Sequence, residues 1–174
     1  MLSTFLKSKA TKIIGVDIGS NSIKALLLSK SSNGYKVENI TTLAIPKGVI
    51  VDNAITDLQV VGDLIKKVKK QFSKSGADHA AAAVSGSGVI MKTIYMNAVK
   101  NDEELESQIE IEAENLIPYP LDEVSLDFEV IRKNEVDKEK IDVLLVASRT
   151  ELVQARVQAL EFGRFKAKVI DVEG

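Results

Sequence analysis

The stretch IIGVDIGSNSIKALLL, residues 13–28, places an acid and a base on either side of a turn. A carboxylate, Asp17, lies near the end of the first apolar run, and an ammonium group, Lys24, lies near the start of the second. The residues that connect them are small and rich in hydrogen-bond donors: Gly19, Ser20, Asn21 and Ser22. Because such a turn leaves backbone N–H groups unpaired and glycine allows close approach, it is a candidate site for an anionic ligand.

Two interpretations of this turn remain open. In the first, the turn binds nucleotide phosphates, Lys24 balances their charge, and Asp17 holds a hydrated Mg²⁺ through water. In the second, it is a plain hairpin whose Asp17 and Ser22 side chains hydrogen-bond their own backbone. It is not a P-loop, since no Gly-Lys-Ser/Thr follows a glycine-rich loop.

Apolar spacing predicts the elements that position this turn. An antiparallel meander comes first, and a second α+β segment follows it, so we predict an α/β (α+β) fold in two lobes. Strands are predicted over 12–17, 23–29, 35–45, 80–84, 89–96, 124–132, 141–147 and 168–172, and helices over 57–72, 101–117 and 150–161. Asn101 is the predicted N-cap of the second helix, with Glu104 completing a capping box.

Composition narrows the function classes. The 174 residues are 45% hydrophobic and 28% charged, with a net charge of −2, which gives no support to general nucleic-acid binding. No cysteine is present, which excludes disulfides, thiolate metal sites and thiol catalysis. No apolar run approaches the length that spans a bilayer. No catalytic residue is predicted, and the single histidine, His79, is expected at a surface or strand edge.

Two helices carry strong charge patterns. Each pattern is compatible with a solvated face, but the acidic helix is also compatible with a wall that attracts a basic partner, and the lysines with contact to anionic lipid. The acidic residues are Glu103, Glu104, Glu106, Glu110, Glu112 and Glu114, and the lysines are Lys66, Lys67, Lys69, Lys70 and Lys74.

The turn and the segments after it carry a family resemblance. IIGVDIGSNSIKALLLS resembles the first phosphate motif of the actin-like ATPase superfamily. VSGSGVIMKTIYMN, ESQIEIEAENLIPYPLDEVSLDFEVI, VLLVASRTELVQARVQALEFG and KVIDVEG resemble the PilM family of the bacterial type IV pilus inner-membrane complex. The resemblance runs from Lys12 to Glu173, and IEAENLIPYPLDEV is its most specific part. FtsA is the nearest relative in architecture.

The resemblance implies a partial actin-like ATPase fold. Residues 1–86 resemble the first part of subdomain 1A, and residues 87–167 resemble the FtsA-type subdomain 1C. Residues 168–174 resemble the start of a strand that returns to the main body. We therefore expect an N-terminal portion of a longer fold, since the family's second phosphate motif and its adenosine-binding segment would lie beyond Gly174.

The resemblance also implies ATP and Mg²⁺ as cofactors of the complete protein. By motif match, nucleotide-binding residues are Asp17, Gly19, Ser20, Asn21, Ser22 and Lys24, with Asp17 holding the metal through water. Catalysis of phosphoryl transfer depends mostly on groups that position the nucleotide from both sides, and this chain is expected to supply only one side. This chain alone is therefore expected to bind ATP weakly and to hydrolyse none.

The implied role is a cytoplasmic scaffold, peripheral to the inner membrane, in pilus assembly and twitching motility. Its implied partner is the cytoplasmic N-terminal peptide of PilN, bound in a groove between 1A and 1C, with unassigned contact residues. A homodimer through the face left by the missing lobe is a further expectation. The alternatives are an FtsA-like membrane-associated cytoskeletal ATPase and a small-molecule kinase of the same superfamily.

Overall fold

The protein, seen in a computed structural model that describes residues 11–99 and 101–173, divides into two compact units. The first unit holds the chain up to Ala83 together with Val157–Asp171, and the second holds Val84–Arg156 and the chain from Val172. Each unit has its own apolar core. The predicted α/β class is confirmed, whereas the subdomain assignments stay predictions, and the compact units divide the chain inside the last helix.

The elements follow the predicted order closely. The described strands are β1 (Ile13–Ile18), β2 (Ser22–Ser31), β3 (Gly34–Ala44), β4 (Ile50–Val51), β5 (Ala54–Ile55), β6 (His79–Val84), β7 (Val89–Asn97), β8 (Val124–Lys133), β9 (Lys140–Arg149) and β10 (Lys166–Val172). The described α-helices are α1 (Leu58–Gln71), α2 (Asp102–Leu116) and α3 (Thr150–Phe162).

A five-stranded sheet with the order β10-β6-β1-β2-β3 organises the first unit. β1, β2 and β3 form the predicted antiparallel meander, and β6 pairs with β1 in parallel. β1 alternates strictly: Ile14, Val16 and Ile18 are buried, and the residues between them are exposed. Side chains of a strand alternate between the two faces of its sheet, so this pattern fixes which face of β1 meets the core.

Helix α1 supplies most of the remaining core of the first unit. Its N-cap is Asp57, whose carboxylate accepts a hydrogen bond from the Val60 backbone N–H at 3.0 Å. Val61, Ile65 and Val68 recur at helical spacing and are fully buried. The apolar stripe that predicted this helix is therefore the surface that packs into the core.

The end of α3 lies against α1 with very little space between them. A Cβ added to Gly163, the residue after α3, would clash with the side chain of Ile65, whose Cβ would be 2.7 Å away. A Cβ added to Gly62, within α1, would clash with Phe162. Two glycines thus allow the close approach of these helices in the first unit.

The second unit is a three-stranded antiparallel sheet with the order β7-β9-β8, and α2 packs on it. The predicted N-cap is confirmed, since the Asn101 side chain accepts from the Glu104 backbone N–H at 2.7 Å. Ile109 and Ala113 of α2 pack in one core with Val143 and Leu145 of β9. The glutamates leave this apolar face intact because they occupy the other positions of the helix.

A buried carboxylate on β9 connects two strands of the second unit. Asp142 is 4% exposed and accepts hydrogen bonds from Asn134 Nδ2 at 2.6 Å and Arg132 Nε at 3.0 Å. These bonds to Asn134 and Arg132 lower the pKa of Asp142 below its ordinary value of 3.8. Arg132 also pairs with Glu135 at 3.2 Å. The strands β8 and β9 are therefore joined by charge as well as by their backbone ladder.

We predict that Gly163→Ala destabilises the protein. The added methyl group would overpack a site whose neighbour is the Cβ of Ile65, which cannot swing away, so the loss is about 1–3 kcal/mol in free energy of unfolding. Urea unfolding followed by circular dichroism measures it. Gly15→Ala is the control, because its Cβ would meet only the Leu26 carbonyl oxygen at an ordinary 3.9 Å. Equal stability of the two variants would contradict the close approach.

We predict that the stabilising effect of Asp142 depends on pH. Its pKa is lowered in the folded state, so its contribution is fully present above the unfolded value of about 3.8 and is lost as pH falls through the folded value. The gap in urea midpoint between the wild type and Asp142→Asn should therefore be largest near neutral pH and shrink towards pH 3. Glu129→Gln, an exposed change on β8, is the control. A gap that does not change with pH would refute this account.

Candidate functional site

The structure brings the six predicted site residues together at the turn between β1 and β2. Ile18 and Ile23 are paired across the two strands, so Gly19–Ser22 form the turn itself. The Gly19 backbone N–H donates to the Ser22 carbonyl at 3.1 Å. The Asn21 carbonyl accepts from the backbone N–H of Ile45 at 2.9 Å, which ties the turn to the end of β3.

Asp17 and Lys24 form an ion pair beside this turn. They are directly opposite each other in the ladder, and Lys24 Nζ lies 3.0 Å from Asp17 Oδ2. Their side chains are 45% and 60% exposed, so solvent screens the pair and its contribution to stability is about 1 kcal/mol or less. The pair thus leaves both charges accessible from solvent.

Several donors of the turn are available to a ligand. Ser20 and Asn21 are exposed, and Ser22 is partly buried. Among the described residues, their side chains form no hydrogen bond with the protein, and the Ser20 and Asn21 backbone N–H groups donate to no backbone carbonyl. The Gly19 N–H, by contrast, is already used inside the turn. The available donor set is therefore two backbone amides, two hydroxyls, one side-chain amide and the Lys24 ammonium.

Gly19 is not required by the packing of the protein. A Cβ at this position would meet Ser22 O at 3.5 Å and Asp17 Oδ1 at 3.8 Å, which are ordinary contacts. Its backbone is outside the left-handed region that favours glycine. A need for glycine here would therefore come from something outside the described chain that approaches the turn.

The other charged features lie elsewhere. His79, predicted at a surface or strand edge, is the first residue of β6, which lies between β10 and β1; it is partly buried and is not part of the turn. In the described ranges, no cluster of three or more metal-ligating side chains occurs. Among the same residues, no helix combines the length and the apolar character needed to cross a bilayer.

Sequence reasoning missed two aspects of this site. The first is the ion pair of Asp17 and Lys24, whose signal is their symmetric placement about the turn, which predicts opposite positions in a hairpin. The second is the anchor at Ile45, for which the local sequence offers no signal.

A comparison with protein families gives one match over most of the chain. The family model described as "Type IV pilus assembly protein PilM" matches residues 15–174. This match contains all six residues of the turn and runs through both compact units.

Two solved structures share the fold. One is described as the "PilM-PilN type IV pilus biogenesis complex"; it is 23% identical with a TM-score of 0.82 and covers 94% of this chain and 48% of that one. The other is the cytoplasmic domain of EpsL, an inner-membrane component of the type II secretion system of Vibrio cholerae, with 16% identity, a TM-score of 0.56 and coverage of 92% and 57%. The chain thus spans about half the length of the PilM structure, and the predicted partial actin-like fold is confirmed.

Proposed function

Because this chain belongs to the PilM family of type IV pilus assembly proteins, we propose that it acts in pilus assembly by binding the cytoplasmic N-terminal peptide of a PilN-type protein. The family match over residues 15–174 carries the proposal. The likeness to a PilM structure described in complex with PilN supports it through the fold. The protein would then work in the cytoplasm, held at the inner membrane by its partner.

The test is a calorimetric titration of this chain with a peptide from the PilN N-terminus. We predict saturable binding with one peptide per chain, because 94% of this chain aligns with the PilM structure that is described in complex with PilN. A peptide of the same composition in scrambled order is the control, and it should give no saturable heat.

The absence of binding in this titration can be interpreted once circular dichroism shows that the chain is folded. No binding to either this chain or the full-length protein would contradict the proposed partner. Binding to the full-length protein alone would contradict the claim that this portion suffices, and it would keep the pilus role.

We further propose that the β1–β2 turn binds the phosphates of a nucleotide in the full-length protein. The donor set fits this ligand: amides, hydroxyls and one ammonium are what phosphate oxygens require, and a carboxylate in reach of solvent suits a hydrated Mg²⁺. Ser20, Asn21 and Ser22 would hold the phosphates, Lys24 would balance their charge, and Asp17 would hold the metal through water. When bound, the metal would neutralise phosphate charge, and the residues of this chain would bind the phosphates and orient them.

We predict that Lys24→Met lowers the affinity of the full-length protein for MgATP by about 10- to 100-fold, since a hydrogen bond to a charged group contributes about 1.5–3 kcal/mol. A fluorescent nucleotide competed by ATP measures it. The 174-residue chain alone should bind far more weakly than the full-length protein, because it supplies the ligands of a single turn.

Gly19→Ala sharpens this test. Its added methyl group meets only ordinary contacts inside the protein, so the free energy of unfolding should change by less than about 0.5 kcal/mol. A ligand that approaches the turn closely would nevertheless lose affinity. Lys47→Met, an exposed change outside the turn, is the matched control for loss of charge. Unchanged nucleotide affinity in both Lys24→Met and Gly19→Ala would overturn the nucleotide proposal.

A further inference from the structure

Charge is divided very unevenly between the two units. The first unit contains fifteen Lys and Arg residues and eight Asp and Glu residues, a net charge of +7. The second contains eight basic and seventeen acidic residues, a net charge of −9. The overall charge of −2 therefore hides two units of opposite sign.

Part of the positive charge is concentrated at one end of the first unit. Here the start of β1, the segment after α1 and the starts of β6 and β10 meet around a cavity of about 280 Å³. Lys12, Ser75, Asp78, His79 and Lys166 are among its lining residues. At about 30 Å³ per water, this cavity has room for a phosphate group and several waters.

The carboxylate that lines this cavity, that of Asp78, already forms an ion pair with a lysine. Asp78 Oδ1 lies 2.8 Å from Lys69 Nζ, and this hydrogen bond and charge lower the pKa of Asp78. The Lys69 ammonium also donates to the Arg164 carbonyl and lies 4.9 Å from the centre of the Phe165 ring. Lys69 is thus already bonded to Asp78 and to the Arg164 carbonyl, and it favours the ionised form of Asp78.

Three further lysines lie in the segments that meet at this cavity. Lys12 Nζ donates to the Ser75 carbonyl at 2.9 Å, which orients the ammonium without neutralising it. Lys166 is exposed, and its backbone N–H bonds to the Asp78 carbonyl at 2.8 Å, so its side chain starts beside the cavity. Lys74 is exposed and lies with Ser75 in a short 3-10 helix, Ser73–Ser75, that follows α1. Among the described residues, none of these three ammonium groups forms an ion pair in direct contact with a carboxylate, and the charges of Lys166 and Lys12 act only at longer range on Asp78 and Glu38.

We propose that this surface, defined by Lys12 and Lys166, which line the cavity, and by Lys74, which precedes the lining residue Ser75, binds the headgroups of anionic phospholipids at a membrane surface. Lysines within a Debye length of an anionic bilayer attract it, and the cavity gives one headgroup phosphate a place between two of them. A single-stranded nucleic acid would need exposed aromatic side chains to stack on, and the nearby Phe165 is buried. The proposal is independent of the peptide and nucleotide proposals.

The test measures partition of the full chain onto vesicles of phosphatidylglycerol and phosphatidylcholine by co-sedimentation. At low salt we expect binding that falls steeply with added NaCl and that is absent on pure phosphatidylcholine. The triple variant Lys12→Gln, Lys74→Gln, Lys166→Gln should bind about a hundredfold more weakly, taking each lysine as roughly a fivefold contribution. The double variant Lys74→Gln, Lys166→Gln, which keeps Lys12, should bind vesicles about twenty-five-fold more weakly. It replaces the triple variant in this test if the triple variant does not fold.

The matched control removes the same charge elsewhere. Lys47→Gln, Lys92→Gln and Lys138→Gln are all exposed, and none lines the cavity. This control should bind as the wild type does. The proposal is overturned if the control loses as much as the triple variant, or if the triple and double variants bind normally. It is also overturned if the wild type ignores vesicles and instead self-associates in a salt-sensitive manner that the triple variant lacks, since the surface would then bind the acidic unit of a second copy.

Discussion

The alternation of β1 is the constraint from which the site follows. Ile14, Val16 and Ile18 must face the core, so Asp17 must face outward. The same reasoning in β2 buries Ile23 and Ala25 and turns Lys24 outward. A slip of one residue in either strand would bury a charge and expose the apolar set, which makes the register of this hairpin strongly specified. Burial of the apolar side chains of both strands therefore places Asp17 and Lys24 beside each other on the exposed face.

Much of the local structure was predictable because it depends on short-range patterns. The meander, the helices and the cap at Asn101 follow from side-chain periodicity and from a polar side chain that precedes an apolar stripe. The residues of the turn and the two charged residues that flank it could also be predicted to lie close together, since they are close in sequence.

What escaped prediction depends on contacts between distant segments. Asp142 reads as one polar residue in an apolar strand, and nothing in its neighbourhood indicates that Arg132 and Asn134 will hold it. Gly163 reads as a helix stop, yet its lack of a side chain also serves the approach of Ile65, almost a hundred residues earlier. The basic surface is the clearest case: Lys12 and Lys166 are far apart in sequence, and they line one cavity because β1, β6 and β10 are neighbours in one sheet.

If the turn binds a nucleotide with its metal, as proposed above, the ion pair of Asp17 and Lys24 has a consequence for the order in which phosphate and metal can arrive. A phosphate that arrived alone would draw Lys24 away and leave a bare carboxylate beside an anion, whereas a metal that arrived alone would leave a bare ammonium beside a cation. When the two arrive as one complex, each charge exchanges its partner for a new one of the same sign, and no intermediate is left unbalanced. On the nucleotide role proposed above, the hairpin would therefore favour a metal–phosphate complex over either component alone.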